Sequence, residues 1–230
     1  IERDIQVMVD GAPRWFHSVS RAIWSDDEVP VYHGSIGKIV DIHETRERLM
    51  ELQYKASHDP LTGLLNHPSA RQAIVDRMTA SPEGNFVFMI LDLDFFKEAN
   101  DNFGHQFGDE VLRHFARRLL ASVRDRDIVA RVGGDEFLIC LVDCRTDPES
   151  LVDRVYHSII GEYEGFELSV SMGVACTVGG QYGYDDLFRN ADAALYDKKR
   201  GGRGGYVFSD MTTQEDGKSV LSAIDGEQTE

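Results

Sequence analysis

One stretch, residues 128–141, constrains the fold more than any other part of the chain. Two apolar runs, Ile128–Val132 and Phe137–Leu141, flank the segment Gly133-Gly134-Asp135-Glu136. Two apolar runs joined through glycine predict a β-hairpin, because glycine adopts the backbone angles of a tight turn at little cost. The turn carries two carboxylates, a pair suited to binding a hard cation or to proton transfer. A solvent-exposed turn without a function has the same pattern.

A second acidic segment follows a different apolar run. Phe86–Leu91 is continuously apolar, as in a central strand buried on both faces, and it leads directly into Asp92-Leu93-Asp94. The alternation of a strand puts Asp92 and Asp94 on one face. Asp92 could meet Asp135 of a neighbouring strand at a magnesium ion, which prefers oxygen ligands. The alternative is that one of these acids caps the following helix, and Asp94 suits that position better.

The remaining patterns predict strands and helices that alternate irregularly along the chain. Because the hairpin makes part of the sheet antiparallel, we predict an α+β fold with a central mixed, largely antiparallel five-stranded sheet surrounded by helices. The other predicted elements are helices over 68–79, from about 109, over 150–163 and over 184–199, and strands over 167–176 and 206–208.

The N-terminal part predicts a separate organisation. Residues 1–42 read as short strands, and 43–57 as a helix with an apolar heptad seam. That helix either dimerises or packs on its own chain, and the pattern favours neither. Residues 209–230 are polar and acidic, so we predict a disordered tail.

Composition excludes several classes of protein. A formal net charge of -16 argues against a nucleic-acid partner and gives no electrostatic reason to bind an anionic membrane. Three cysteines without zinc-ligand spacing fit a reducing, cytoplasmic environment. No apolar run is long enough to span a membrane, and no P-loop motif occurs. Because the chain opens at Ile1, we expect a sensory or membrane-bound part upstream.

Several motifs in one order resemble a known family. Gly133-Gly134-Asp135-Glu136-Phe137 is the signature of the GGDEF diguanylate cyclases, and the resemblance extends over roughly residues 57–208, so we assign 58–208 to this domain. Residues 1–42 resemble the C-terminal strands of a PAS sensory domain, ending in Asp41-Ile42. The supporting motifs of the cyclase family lie at 59–66, 92–101, 104–109, 171–173 and 191–196.

The resemblance implies a fold like that of nucleotidyl cyclases and polymerase palms, and the condensation of two GTP molecules into cyclic di-GMP with release of pyrophosphate. The implied cofactor is Mg²⁺, for which Mn²⁺ can substitute, and each domain of a homodimer would hold one GTP. The implied metal ligands are Asp92, Asp135 and the Leu93 carbonyl; the catalytic residues are Asp135, Glu136 and Lys97. The implied substrate-binding residues are Asn100 and Asp109 for guanine, and Phe95, Phe96, Lys97, Lys199 and Arg203 for the phosphates.

The resemblance also implies an inhibitory site for the product. Arg124 and Asp127 form an Arg-x-x-Asp motif at the family's offset before Gly133, and Arg154 would complete the site. The alternative is a solvated charge cluster at the end of a helix. Lys199 and Arg203 have a similar alternative, since cations stabilise the C-terminus of a helix.

Two other functions compete with the cyclase. One is a silent GGDEF module that binds GTP or cyclic di-GMP as a signalling receptor, a class that usually lacks the acids of the turn. The other is a cyclase that uses ATP, which Asp109 disfavours because its carboxylate suits the donors of guanine. Since Asp92, Asp135 and Glu136 are all present, the sequence favours the diguanylate cyclase.

Overall fold

The structure is a computed structural model that describes residues 1–177 and 182–209. Its contacts divide the chain into two compact units, with the boundary between Ser57 and His58. The predicted disordered tail lies outside the described residues from position 210 onward. Over the described ranges, no helix has both the length and the apolar character needed to cross a bilayer.

The first unit is a small antiparallel sheet followed by one helix. The strands β1 (Glu2–Val9), β2 (Ala12–Trp24) and β3 (Tyr32–Asp41) pair in that order, and α1 (His43–Ser57) follows. Arg46 of α1 contacts this sheet, because its guanidinium lies 4.0 Å from the ring centroid of Trp15. No residue from 1 to 57 is buried, so the unit has no core of its own. Its assignment to a PAS domain stays a prediction.

The second unit is built on a six-stranded mixed sheet, which confirms the predicted class but not the predicted five strands. Its strands lie in the order β11-β10-β5-β7-β6-β4. The two edge strands, β4 and β11, are parallel to their neighbours, and the four central strands are antiparallel. The strands are β4 (Leu65–Asn66), β5 (Val87–Leu93), β6 (Ile128–Gly133), β7 (Glu136–Leu141), β10 (Val170–Cys176) and β11 (Gly205–Phe208), with a separate hairpin of β8 (Gly161–Tyr163) and β9 (Phe166–Leu168).

Helices cover both faces of this sheet. The odd-numbered residues of β5 pack on one face with α4 and α5, and Phe88 and Ile90 pack on the other with α2 and α6. This alternation explains why the whole of β5 is apolar until its last residues, since a central strand buries both of its faces. The helices are α2 (His67–Ala80), α3 (Phe96–Phe103), α4 (His105–Ser122), α5 (Pro148–Ile159) and α6 (Tyr184–Arg200).

Two predicted elements have different limits in the structure. The helix predicted over 150–163 ends at Ile159, and the strand predicted over 167–176 divides at Ser169 into β9 and β10. The cause is the short hairpin of β8 and β9, which takes residues from both predictions. The division leaves Ser169 outside both strands, close to the acidic end of β5.

Candidate active site

The hairpin turn lies directly beside the end of β5. Gly134 has φ +55°, a left-handed conformation that glycine adopts without a steric penalty. The backbone N–H of Leu93 donates to the carbonyl oxygen of Asp135 over 3.2 Å. This bond fixes the turn against the strand that carries Asp92.

Three acidic residues lie together at this end of the sheet. Asp92 pairs with Glu136 in the register of β5 and β7, and Asp135 precedes Glu136 in the turn. Asp92 is only 9% exposed. Burial raises the pKa of Asp92 to about 6, and the negative charges of Asp135 and Glu136 add to the rise. An acidic cluster whose charge is so poorly compensated favours the binding of a cation.

Lys199 of α6 supplies part of the missing positive charge. Its Nζ lies 2.6 Å from Oδ2 of Asp92. The ion pair lowers the pKa of Asp92 but does not cancel the effect of burial. Lys199 is predicted to bind phosphate, and here its ammonium group contacts Asp92, a predicted metal ligand.

The residues at this position fit a magnesium ion. Carboxylates and a main-chain carbonyl are hard oxygen ligands, and Mg²⁺ typically completes its shell with water and substrate phosphates. Within residues 1–177 and 182–209, no group of three or more His, Cys, Asp or Glu side chains is placed to hold a metal. The predicted set of metal ligands does not require three such side chains, since it combines Asp92 and Asp135 with the main-chain carbonyl of Leu93.

The two residues predicted to read guanine lie on facing helices. Asn100 is in α3, and its side chain packs against the backbone of α4 at Gly108. A Cβ atom at Gly108 would lie 2.0 Å from Oδ1 of Asn100, so only glycine leaves room for this amide. Asp109 follows in the chain and is exposed. The fold therefore brings Asn100 close to Asp109 across the two helices.

The predicted phosphate-binding residues lie at the start of α3, in the last turn of α6 and in the loop after α6. Phe95 precedes α3 with φ +60°, and Phe96 and Lys97 form its first turn. The guanidinium of Arg203 lies 5.4 Å from the ring centroid of Phe95. This contact brings Arg203 next to the N-terminus of α3, where backbone N–H groups favour an anion.

The alternative of an acidic helix cap is wrong. Phe95 occupies the N-cap position of α3, and no side chain caps this helix. Asp94 instead accepts hydrogen bonds from two serine hydroxyls and from the backbone of Gly204. Sequence spacing makes Asp94 the better candidate for this cap because spacing alone does not show these distant partners.

Arg131 contributes contacts to the site that the sequence motifs do not predict. Its Nε and Nη2 donate to the carbonyl oxygen of Gly134 over 2.9 and 2.7 Å, and its Nη1 lies 3.0 Å from Oδ1 of Asp59. Burial alone would raise the pKa of Asp59, but hydrogen bonds from Thr62 and Arg131 outweigh it and hold that pKa below its usual value. Arg131 thereby ties the hairpin turn to the segment that begins the second unit. Its position two residues before Gly133 is the sequence feature that could have indicated a contact with the turn.

The three residues predicted for the inhibitory site line one small cleft, together with Arg145. Both oxygens of Asp127 accept backbone N–H groups, from Arg124 over 2.9 Å and from Val142 over 3.1 Å. Nη1 of Arg154 donates to the carbonyl oxygen of Ser122 over 2.8 Å. Three of the four charged residues that line this cleft are therefore arginines, in a chain that is acidic as a whole.

Comparisons with known proteins identify the family to which the second unit belongs. Residues 56–205 match the family described as "Diguanylate cyclase, GGDEF domain". The chain is 35% identical over 179 residues to the "Probable diguanylate cyclase DgcE" of Escherichia coli, which covers 74% of this chain. A crystal structure of the coiled coil and GGDEF domain of DgcB from Caulobacter crescentus, in complex with c-di-GMP, is similar with a TM-score of 0.66 and 25% identity, covering 73% of this chain and 93% of that one.

A second solved structure is the diguanylate cyclase SiaD of Pseudomonas aeruginosa in complex with its activator SiaC. It has a TM-score of 0.57 and 34% identity, and the match covers 72% of this chain and 66% of that chain. The chain spans only 16% of DgcE, and 22% and 26% of two further curated relatives. The resemblance inferred from the motifs is nevertheless confirmed: the chain belongs to the GGDEF family of diguanylate cyclase domains.

Proposed function

We propose that this protein is a diguanylate cyclase that condenses two GTP molecules into cyclic di-GMP with release of pyrophosphate. The observation that carries the proposal is the acidic cluster, in which Asp92 faces Glu136 across two strands and Asp135 lies in the adjoining turn. GGDEF domains that only bind ligands usually lack acids in this turn. Here both acids of the turn and Asp92 of β5 are present, and they lie beside residues suited to a triphosphate.

Each residue has a role that follows from its chemistry. Asp92, Asp135 and the carbonyl of Leu93 would hold Mg²⁺ or Mn²⁺, which neutralises phosphate charge and makes the 3′-hydroxyl a better nucleophile. Glu136 would assist at the metal or accept the proton that the 3′-hydroxyl loses. Lys97, Lys199 and Arg203 would bind the phosphates, together with the backbone N–H groups of Phe95 and Phe96. These contacts orient the α-phosphate of one GTP for in-line attack by the 3′-oxygen of the other.

Asn100 and Asp109 would select guanine. A carboxylate accepts hydrogen bonds from the N1–H and amino group of guanine, whereas the corresponding edge of adenine has a different donor pattern. An analogue that leaves such polar groups unpaired is rejected strongly. We therefore expect GTP, and not ATP, to be the substrate.

Replacing Gly108 by alanine is expected to weaken guanine recognition selectively. The new methyl group would displace the amide of Asn100, which is a flexible side chain, so the helix itself need not move. We expect KM for GTP to rise about tenfold, the effect of one lost hydrogen bond to the base. Alanine favours a helix over glycine by about 1 kcal/mol, and this gain offsets part of the cost of displacing the half-buried Asn100 amide and the Phe96 ring, whose Cζ would lie 3.2 Å from the new methyl group. Kinetics and thermal unfolding would be measured together.

Gln106→Ala is the matched control, because it changes an exposed residue in the first turn of the same helix. A Gly108→Ala protein with the parent's KM would contradict the assignment of Asn100. An equal rise in the control would attribute the effect to α4 in general.

The cyclase requires two GTP-loaded domains that face each other, so we propose that the active form is a homodimer. The test is incubation of the protein with GTP and Mg²⁺ over a range of protein concentrations. We expect cyclic di-GMP to form at a rate that rises more than linearly with protein, and no product from ATP. If no product forms even when a fused dimeriser joins the chains, the cyclase proposal fails and a module that only binds nucleotide becomes the better account.

We also propose feedback inhibition through Arg124, Asp127 and Arg154. The cleft that these residues line is rich in arginine, which pairs with phosphate and with guanine edges. Arg124→Ala is expected to raise the inhibition constant for cyclic di-GMP about 10- to 100-fold, since bonds between a charged donor and phosphate are strong. The uninhibited rate should stay the same. Arg117, an exposed arginine on α4, supplies the control. An inhibition constant for Arg124→Ala equal to that for Arg117→Ala would contradict this site.

A further inference from the structure

Asp94 is a buried carboxylate with three hydrogen-bond donors around it. It is only 1% exposed. Oδ1 accepts the hydroxyl of Ser171 over 2.7 Å, and Oδ2 accepts the hydroxyl of Ser169 over 2.8 Å and the backbone N–H of Gly204 over 3.0 Å. Burying a charge is costly unless its oxygens are hydrogen-bonded, and here both are. The carboxylate therefore depends on these partners and also restrains them.

Of the three partners of Asp94, Gly204 matters most for the site, because it lies in a loop of unusual backbone conformation that also carries Arg203. Four consecutive residues after α6 have positive φ: 123° at Gly202, 57° at Arg203, 55° at Gly204 and 117° at Gly205. Arg203 is the one residue of the four with a side chain, and the left-handed region costs such a residue about 1–2 kcal/mol. The conformation persists only if surrounding contacts hold it.

Two hydrogen bonds donated by backbone N–H groups, those of Arg203 and Gly204, hold the loop in this conformation. The N–H of Arg203 donates to the carbonyl oxygen of Lys198 over 3.2 Å, which fastens the loop to the end of α6. The N–H of Gly204 donates to Asp94, which fastens it to the end of β5. Between them, the guanidinium of Arg203 lies over the ring of Phe95, the residue that follows Asp94.

We propose that Asp94 is a positioning residue that holds Arg203 in place for a nucleoside triphosphate by fixing the backbone of Gly204. The proposal rests on the proposed function for the identity of the ligand, but its structural part does not. Asp94 contacts neither metal nor substrate in this role. It joins three distant parts of the chain so that Arg203 reaches the same end of the sheet as Asp92.

Substitutions at position 94 can separate its role as a hydrogen-bond acceptor for Gly204 from an effect of its negative charge. An asparagine at position 94 can place its oxygen where Oδ2 lies and still accept from Gly204 and Ser169. Its amide group can then donate to the hydroxyl of Ser171, which accepts as well as donates. The backbone N–H of Gly204 can only donate, so alanine at this position leaves it without its partner. Asp94→Asn is therefore the conservative variant and Asp94→Ala the disruptive one.

Ser171→Ala supplies the matched control for stability. It removes a buried hydrogen bond to the same carboxylate but leaves the bond between Oδ2 and Gly204. Three measurements would be made on each variant of the 230-residue chain: thermal unfolding, hydrogen exchange of the backbone amides in residues 201–205, and affinity for 3′-deoxy-GTP with Mg²⁺. This nucleotide lacks the attacking hydroxyl, so binding is observed without turnover.

We expect Asp94→Ala to accelerate amide exchange in the loop about 10- to 100-fold, the effect of losing a charge-assisted hydrogen bond. Its affinity for 3′-deoxy-GTP should fall about tenfold as Arg203 loses its orientation. Asp94→Asn should resemble the parent in both measurements. Ser171→Ala should be less stable than the parent yet keep a protected loop and the parent's affinity.

Two outcomes would overturn the proposal. One is a loop in Asp94→Ala that exchanges as slowly as in the parent. The other is amide exchange in the loop of Ser171→Ala that is as fast as in Asp94→Ala when the two variants lose the same stability. That result would make Asp94 a structural residue only. If the parent itself fails to bind 3′-deoxy-GTP, the proposed function fails, whereas the exchange measurements still decide what Asp94 does to the loop.

Discussion

Replacing Asp135 with asparagine is expected to lower the rate of cyclic di-GMP formation by about a thousandfold or more. The substitution keeps the size of the side chain but removes the negative charge predicted to bind Mg²⁺, and such an ion contributes several kcal/mol to stabilising the transition state. The carbonyl oxygen of Asp135 would remain available to Leu93, so the turn should keep its position. The measurement is product formation at saturating GTP and Mg²⁺, alongside circular dichroism to check the fold.

Asp76→Asn is a suitable control, because it removes the same charge from an exposed position on α2. It should leave the rate unchanged. An Asp135→Asn protein that retains more than a tenth of the parent's activity would show that this carboxylate is not essential at the metal. Loss of activity in both variants would point to net charge instead.

Replacing Asp92 with asparagine is expected to abolish activity while making the metal-free protein more stable at neutral pH. Burial raises the pKa of this carboxyl from 3.8 to about 6, so the folded state binds its proton more tightly than the unfolded state does. The folded state is therefore penalised once the pH rises above about 4, and the penalty is complete above about 6. Because the site is partly solvated, we expect a gain of about 1 kcal/mol, or about 2–4 °C in the unfolding midpoint.

The pH dependence tests this explanation. The difference in stability between Asp92→Asn and the parent should be small near pH 4, grow as the pH rises to about 6, and then stay constant. Lys199 loses its partner in the variant, but its side chain is 31% exposed and can be hydrated. Adding Mg²⁺ should stabilise the parent and not the variant. A variant that is less stable than the parent at pH 7.5 would contradict the reasoning.

The sequence by itself determined the elements whose evidence is local. The unbroken apolar run before Asp92 predicted a doubly buried strand, and two apolar runs joined through glycine predicted the hairpin of β6 and β7. These patterns are predictive because the spacing of the apolar residues in an element indicates which of its faces are buried. The motifs also identified the family, which the match over residues 56–205 confirms. Strand β4 was missed because a strand of two residues, Leu65–Asn66, has no detectable period.

The tertiary structure alone decided how the polar residues around the site are paired. Asp94 is 75 and 77 residues from its two serines and 110 from Gly204, and Arg131 is 72 residues from Asp59. These pairs exist because β10 lies beside β5 and β4 beside β6. A hydrogen bond acts over about 3 Å, so its partners are fixed only when distant strands become neighbours. Local spacing could make Asp94 a plausible cap, but only the sheet order made it the link between β5 and the loop that carries Arg203.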